Sequence, residues 1–249
     1  MQIARPFGIP LRLHWSFWFL VLFLVGAATL GNGPVLGYGP AFLVGVAIAT
    51  MLVGSVALHE YGHALAAKQY GITTRHITLY PFGGIAAIEG MPEDPDQETV
   101  IAFAGPAVNL VLAAMGGLML GYTQEGTLVW ALARVFAMAN LSMGLFNLIP
   151  AFPMDGGRIL RSLLAKRMGW APASRLAVRI GRLFSIGFVA AGLAWGNWGL
   201  VLMGAFLHVA LNNEYERLVA QHWQESTGRP APWAQGSEGA SEPVGALLP

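Results

Sequence analysis

Two histidines four residues apart, His59 and His63, stand in the string HEYGH, inside a stretch that otherwise reads as a membrane span. On a helix this spacing puts both imidazoles on one face, about one turn apart, where they can hold one metal ion. Glu60 sits beside them and could serve as a general base toward water at that metal. Ionisable side chains are expensive in lipid, so three of them at membrane depth point to function. The preceding residues, AFLVGVAIATMLVGSVAL, argue against a solvated charged face.

Two imidazoles leave a catalytic zinc one protein ligand short, with the fourth place belonging to water. The chain has no cysteine, which excludes thiolate ligands and disulfides. Acidic candidates are few. Glu89, Glu93, Asp94, Asp96 and Glu98 fall in one polar loop. Glu125 is on the opposite side of the membrane. Glu214 and Glu216 close the last span, and Glu225, Glu238 and Glu242 lie in the tail. Asp155, in NLIPAFPMDGGR, directly follows the fourth span, among prolines and glycines that let the chain leave regular helix. His208, in the sixth span, is the alternative third ligand. Depth favours Asp155: His63 and His59 lie about 8 and 14 Å from the inner end of their helix, at 1.5 Å per residue. The fourth span descends to a similar depth, and Pro150 and Pro153 would break it there.

The elements that must position these residues are membrane spans. Of 249 residues, 55% are apolar and only 11% charged, with mean hydropathy +0.56. A soluble domain usually carries about 25% charge. The fold class is therefore an all-α polytopic membrane protein. Six transmembrane helices are expected, at about 13–31, 41–67, 99–121, 128–150, 180–196 and 198–213. The N-terminus does not read as a cleavable signal peptide. With the N-terminus inside, the inner segments carry Arg5, Arg12, Lys68, Arg75, Arg158, Arg161, Lys166, Arg167, Arg175, Arg179, Arg182, Arg217 and Arg229. The outer loops carry no Lys or Arg. Arg134, the remaining basic residue, falls in the fourth span and can snorkel outward. The asymmetry places both termini in the cytoplasm.

Residues 69–98 differ from the rest. RHITLY alternates, PFGG signals a turn and IAAIE can return, so a short β-hairpin is expected over 75–89 on the cytoplasmic side. Any part that dips into the membrane must be covered by protein or line a cavity. The polar run MPEDPDQE then leads to the third span. From about residue 217 the tail reads as disordered, its first turns extending the sixth helix.

HEYGH in one span, FAGPAVNL in the next and FNLIPAFPMDGGR after a fourth resemble the site-2 protease family of intramembrane zinc metalloproteases. GIPLRLHWSF and the PFGG element carry the likeness across the whole membrane domain. The resemblance implies that His59, His63 and Asp155 ligate one zinc per chain and that Glu60 is the catalytic base. It further implies that Asn147, eight residues before Asp155, stabilises the oxyanion; helix-to-helix bonding is the other reading of that residue. Asn109 matches a family motif held to pack near the site, and with Gly105 and Pro106 it suits close packing and a local kink. Neither a PDZ-like insertion nor a CBS pair is evident, so a minimal six-span form is expected, 1–216, with a polar tail, 217–249.

The function expected is intramembrane proteolysis of transmembrane protein substrates in the plasma or inner membrane. The partners are the lipid bilayer and separate regulatory proteins, with no nucleic acid. A membrane zinc protease with a Glu third ligand is a second enzyme reading. A metal transporter or sensor is a different class, and it should offer polar residues along both halves of the spans; the outer halves offer almost none besides Arg134.

Overall fold

A computed structural model describes residues 2–81, 83–88 and 94–229. The turn residue Phe82, the loop acids Glu89 and Glu93, and the tail from residue 230, with Glu238 and Glu242, lie outside the described residues. The order is β1 (Gln2–Ala4), β2 (Leu11–Leu13), α1 (Phe17–Leu36), α2 (Tyr38–Gln69), β3 (Thr74–Tyr80), β4 (Gly83–Ile88), α3 (Pro95–Tyr122), α4 (Leu128–Asn147), α5 (Asp155–Met168), α6 (Trp170–Ala194) and α7 (Trp198–Thr227).

Among the described residues five helices, α1, α2, α3, α4 and α6, are long and apolar enough to cross a membrane, and the protein is multi-pass. The expected sixth span coincides with a shorter apolar segment of α7, Trp198–Asn212. Several boundaries differ from expectation, two of them because another element takes the place of the span. The first helix begins at Phe17 rather than 13, because Leu-Arg-Leu at 11–13 alternates as a strand: Leu11 and Leu13 are buried and Arg12 is exposed. The inner segment before the fifth span is itself helical. α5 is amphipathic and short, and α6 begins at Trp170, ten residues before the apolar run.

α2 is the central element, packed against α1, α3, α4, β3 and β4. At 1.5 Å per residue its 32 residues reach about 48 Å, well beyond the ~30 Å hydrocarbon core. α3 starts sharply because Asp94 accepts a hydrogen bond from the Asp96 amide and Pro95 occupies the first turn. Thr127 caps α4 through the Trp130 amide. That helix stops at Asn147, short of Pro150 and Pro153, as prolines at those positions require.

The expected hairpin forms, but as half of a larger sheet. Four strands run in the order β1-β2-β3-β4, with β2 and β3 parallel and the other two pairs antiparallel. Ile77 and Leu79 of β3 are fully buried with Ile9, Leu11, Leu13, Phe17, Ala57, Tyr61 and Ala64, which fastens the sheet to α1 and α2. The Tyr61 hydroxyl donates to the Ile9 carbonyl, 3.0 Å. β3 is thus an interior strand and β4 ends the sheet.

Candidate metal centre

His59, Glu60 and His63 occupy successive positions on the buried face of α2, and the helical register alone brings the two imidazoles to 4.7 Å between ring centroids. Asp155 arrives from elsewhere in the chain. Past the end of α4 the backbone turns through Ile149–Met154, and α5 begins with Asp155 as its first residue. Ala151, Phe152 and Met154 are buried and hold this turn against the bundle. Gly156 and Gly157 follow, where a Cβ would meet the backbone of Leu148–Phe152, so only glycine lets the helix start this close to the turn.

Three ligand atoms converge. His59 Nε2 is 3.2 Å and His63 Nε2 3.3 Å from Asp155 Oδ2, and the two Nε2 atoms are 3.1 Å apart. All three residues are buried, and Asp155 Oδ2 has no hydrogen-bond partner. His63 Nδ1 lies 2.7 Å from the Ile101 carbonyl, which only accepts, so Nδ1 carries the proton and Nε2 a bare lone pair. His59 Nδ1 lies 2.5 Å from Asn109 Oδ1, an arrangement that frees its Nε2 as well. Three acceptors facing one another in a buried place repel unless a cation sits among them. Ligand atoms about 2.0–2.1 Å from a tetrahedral zinc are about 3.3 Å apart, so these residues fit zinc. Among the described residues this is the one cluster of His, Asp and Glu side chains able to hold a metal.

The walls of the site are built from small residues. A Cβ on Gly105 of α3 would collide with both imidazoles. A Cβ on Gly84 of β4 would collide with the Glu60 side chain. Glu60 is buried and within electrostatic reach of His63, His59, Asp155 and Arg158. The sheet therefore covers the carboxylate that the sequence pattern marked as a base.

The other expected residues fall as follows. Asn109 is fully buried and touches His59 directly, so it is more than a packing residue. Asn147 donates from Nδ2 to the Met143 carbonyl of its own helix, 3.0 Å, and makes no hydrogen bond to the three ligand residues. His208 is exposed on α7 and stands outside the cluster. Glu98 is consumed elsewhere: it is fully buried and paired with Arg161, and Arg158 Nε lies 3.7 Å from it. The pair ties the start of α3 to α5, the helix that begins with Asp155. Sequence reasoning missed Asn140, Ser55 and Arg161. The available signals were an Asn two turns before Asn147 and a Ser one turn before His59, both polar residues inside apolar spans.

The model of peptidase family M50 matches residues 47–132 and 121–188, more than half the chain. The chain is 37% identical over 237 residues to a candidate zinc metalloprotease, Rip3, of Mycobacterium tuberculosis, a match covering 89% of this chain and 60% of that protein. It is 31% identical over 214 residues to a zinc metalloprotease of Methanocaldococcus jannaschii, covering 86% and 60%. It thus spans about 60% of the length of these curated relatives. Among solved structures, the site-2 protease from Methanocaldococcus jannaschii matches with a TM-score of 0.63 at 31% identity, covering 86% of this chain and 94% of that one.

Proposed function

Because this chain belongs to peptidase family M50, the site-2 proteases, we propose that it is a zinc endopeptidase of the cell membrane that cuts transmembrane segments of other proteins. The observation that carries this reading is the triangle of bare acceptor atoms from His59, His63 and Asp155 with a buried carboxylate, Glu60, beside it. One zinc held by the three residues supplies a Lewis acid and makes water acidic near neutral pH. Glu60 takes a proton from the attacking water at a carboxylate oxygen and returns it to the leaving amine. Asn147 keeps one N–H beyond its bond to Met143 and offers it to the oxyanion. Burial of all four carboxylate and imidazole groups excludes bulk water and strengthens each of these contacts.

The substrate must unwind, because the backbone bonds of a helix shield its peptide groups. The sheet offers a template. Ile77 donates to the Pro10 carbonyl and the Leu79 carbonyl accepts from His14, so both residues face β2. In an antiparallel pair the alternate residues, Thr78 and Tyr80, then bond β4 at Ile85 and Gly83. Gly84 and Ala86 turn their N–H and C=O groups to the other edge of β4, which no strand pairs among the described residues. An unwound substrate added there would pass beside Glu60, which adjoins Gly84. Within the hairpin this role belongs to β4, since β3 is occupied on both sides. In this reading both termini, the sheet and α5 are cytoplasmic, and separate regulatory proteins or lipid access govern cleavage.

The test compares membrane proteomes of cells carrying the natural protein and the Glu60→Gln variant, with zinc measured in the purified chains. The variant should keep one zinc, and membrane substrates should accumulate uncut. A variant that retains cleavage overturns the mechanism. Asp155→Ala should lose zinc while variants of Glu214 and Glu216 keep it; the opposite result would select the Glu-ligand reading. Metal flux into vesicles by the natural protein, lost in Glu60→Gln and with no proteolysis by either, would select the transporter, in which Glu60 is a ligand or proton carrier.

A further inference from the structure

A chain of four buried polar side chains runs away from the metal centre across three helices: His59 of α2, Asn109 of α3, Asn140 of α4 and Ser55 of α2. Asn109 and Asn140 are fully buried and Ser55 is 1% exposed, so water cannot replace any link. The polarity of this chain follows from its far end. The Phe136 carbonyl can only accept, and it lies 2.9 Å from Asn140 Nδ2, which also reaches Ser55 Oγ at 3.0 Å. The Ser55 hydroxyl in turn donates to the Met51 carbonyl, 2.9 Å, so its oxygen accepts from Asn140. Asn140 Oδ1 is thereby turned toward Asn109, and the atom 2.9 Å from it must be the donor, Asn109 Nδ2. A weak acceptor, Met143 Sδ, also faces that nitrogen at 3.4 Å. Asn109 Oδ1 is left pointing at His59 Nδ1, which must donate. Reversing either amide would set oxygen against oxygen or N–H against N–H.

We propose that Asn140 is a positioning residue for the metal: through Asn109 it fixes the proton of His59 on Nδ1 and keeps the Nε2 lone pair free. This rests on the zinc reading only for its consequence; the proton position itself is a property of the metal-free protein. Partners of this kind typically change metal affinity by about 10–100-fold. Ser55 stops the chain but is not needed for its direction, because Asn140 keeps the Phe136 carbonyl without it. Ser55→Ala and Asn140→Leu therefore each remove buried hydrogen bonds, and only the second frees the Asn109 amide to turn.

The experiment uses the full chain in detergent with 15N-labelled histidine, the His59 signal being assigned with a His59→Gln variant. In the metal-free natural protein and in Ser55→Ala, the nitrogen shifts should place the His59 proton on Nδ1; in Asn140→Leu both tautomers should appear. Zinc affinity by chelator competition should be unchanged within about twofold in Ser55→Ala and fall about 10–100-fold in Asn140→Leu. The Co2+ absorption spectrum should change only in Asn140→Leu. A His59 proton on Nε2 in the natural protein overturns the proposal without need of any variant. So does an Asn140→Leu protein with natural tautomer, affinity and spectrum and only a lower melting temperature. A natural protein with the Nδ1 tautomer that binds no zinc leaves the proposal standing and removes the zinc reading instead.

Discussion

Gly84 on β4 lies directly against the side chain of Glu60 on α2, with no room between them for a Cβ. An edge strand and the candidate base are thereby set at one fixed spacing, although 24 residues and a change from helix to sheet separate them in the chain.

Gly84→Ala should move the Glu60 carboxylate or lift β4 from it. A displacement of about 1 Å at a catalytic group can cost about 100-fold. We expect cleavage of a membrane substrate to fall at least tenfold, with one zinc per chain retained. Zinc analysis alongside the cleavage assay checks this; loss of the metal would show that Gly84 supports the ligands rather than the base.

Proline separates the two sides of the sheet. At Ala86 it removes an N–H from the open edge and leaves the β3–β4 ladder intact. Cleavage should drop while melting temperature and zinc content hold. At Ile77 it removes the N–H bonded to Pro10, breaks the seam between β2 and β3, and should destabilise the chain. Equal cleavage by Ala86→Pro and the natural protein would rule out docking on β4.

Gly105 guards the metal side. A methyl group there collides with both imidazoles, so Gly105→Ala should weaken zinc binding by tenfold or more, read by chelator competition. The Glu60 environment is untouched in this variant, so activity should return when excess zinc refills the site.

Two of the ion pairs between α3 and α5 should differ sharply in weight. Glu98 and Arg161 are buried, and Arg161 also stacks near Phe152 and Trp170. Arg161→Met leaves the buried carboxylate with only Arg158, 3.7 Å away, and should cost about 3 kcal/mol. Lys166 and Asp96 are paired in the exposed rim, with 39% and 71% of their side-chain surfaces accessible, and Lys166→Ala should cost about 0–1 kcal/mol. Unfolding of the two variants in the same detergent measures the difference.

Local periodicity carried much of this protein on its own. The i, i+4 histidines, the glutamate between them and the long apolar runs follow from the helical repeat and from the cost of charge in lipid, both of which operate over a few turns of one chain segment. The hairpin, expected over 75–89 and found over 74–88, was legible for the same reason, as alternation ending in a glycine turn. The partnership of β2 with β3 was not. Leu11–Leu13 is too short to distinguish from the start of a span, and only the burial of Ile77 and Leu79 against it decides its form. Asp155 could be nominated by elimination, but its oxygen meets His59 and His63 because a buried turn and a buried Glu98–Arg161 pair seat α5. Asn109, Asn140 and Ser55 are ordinary polar residues in three separate spans. Their hydrogen bonds acquire a direction only when helix packing stacks them end to end against the Phe136 and Met51 carbonyls, which cannot donate, and no stretch of sequence encodes that by itself.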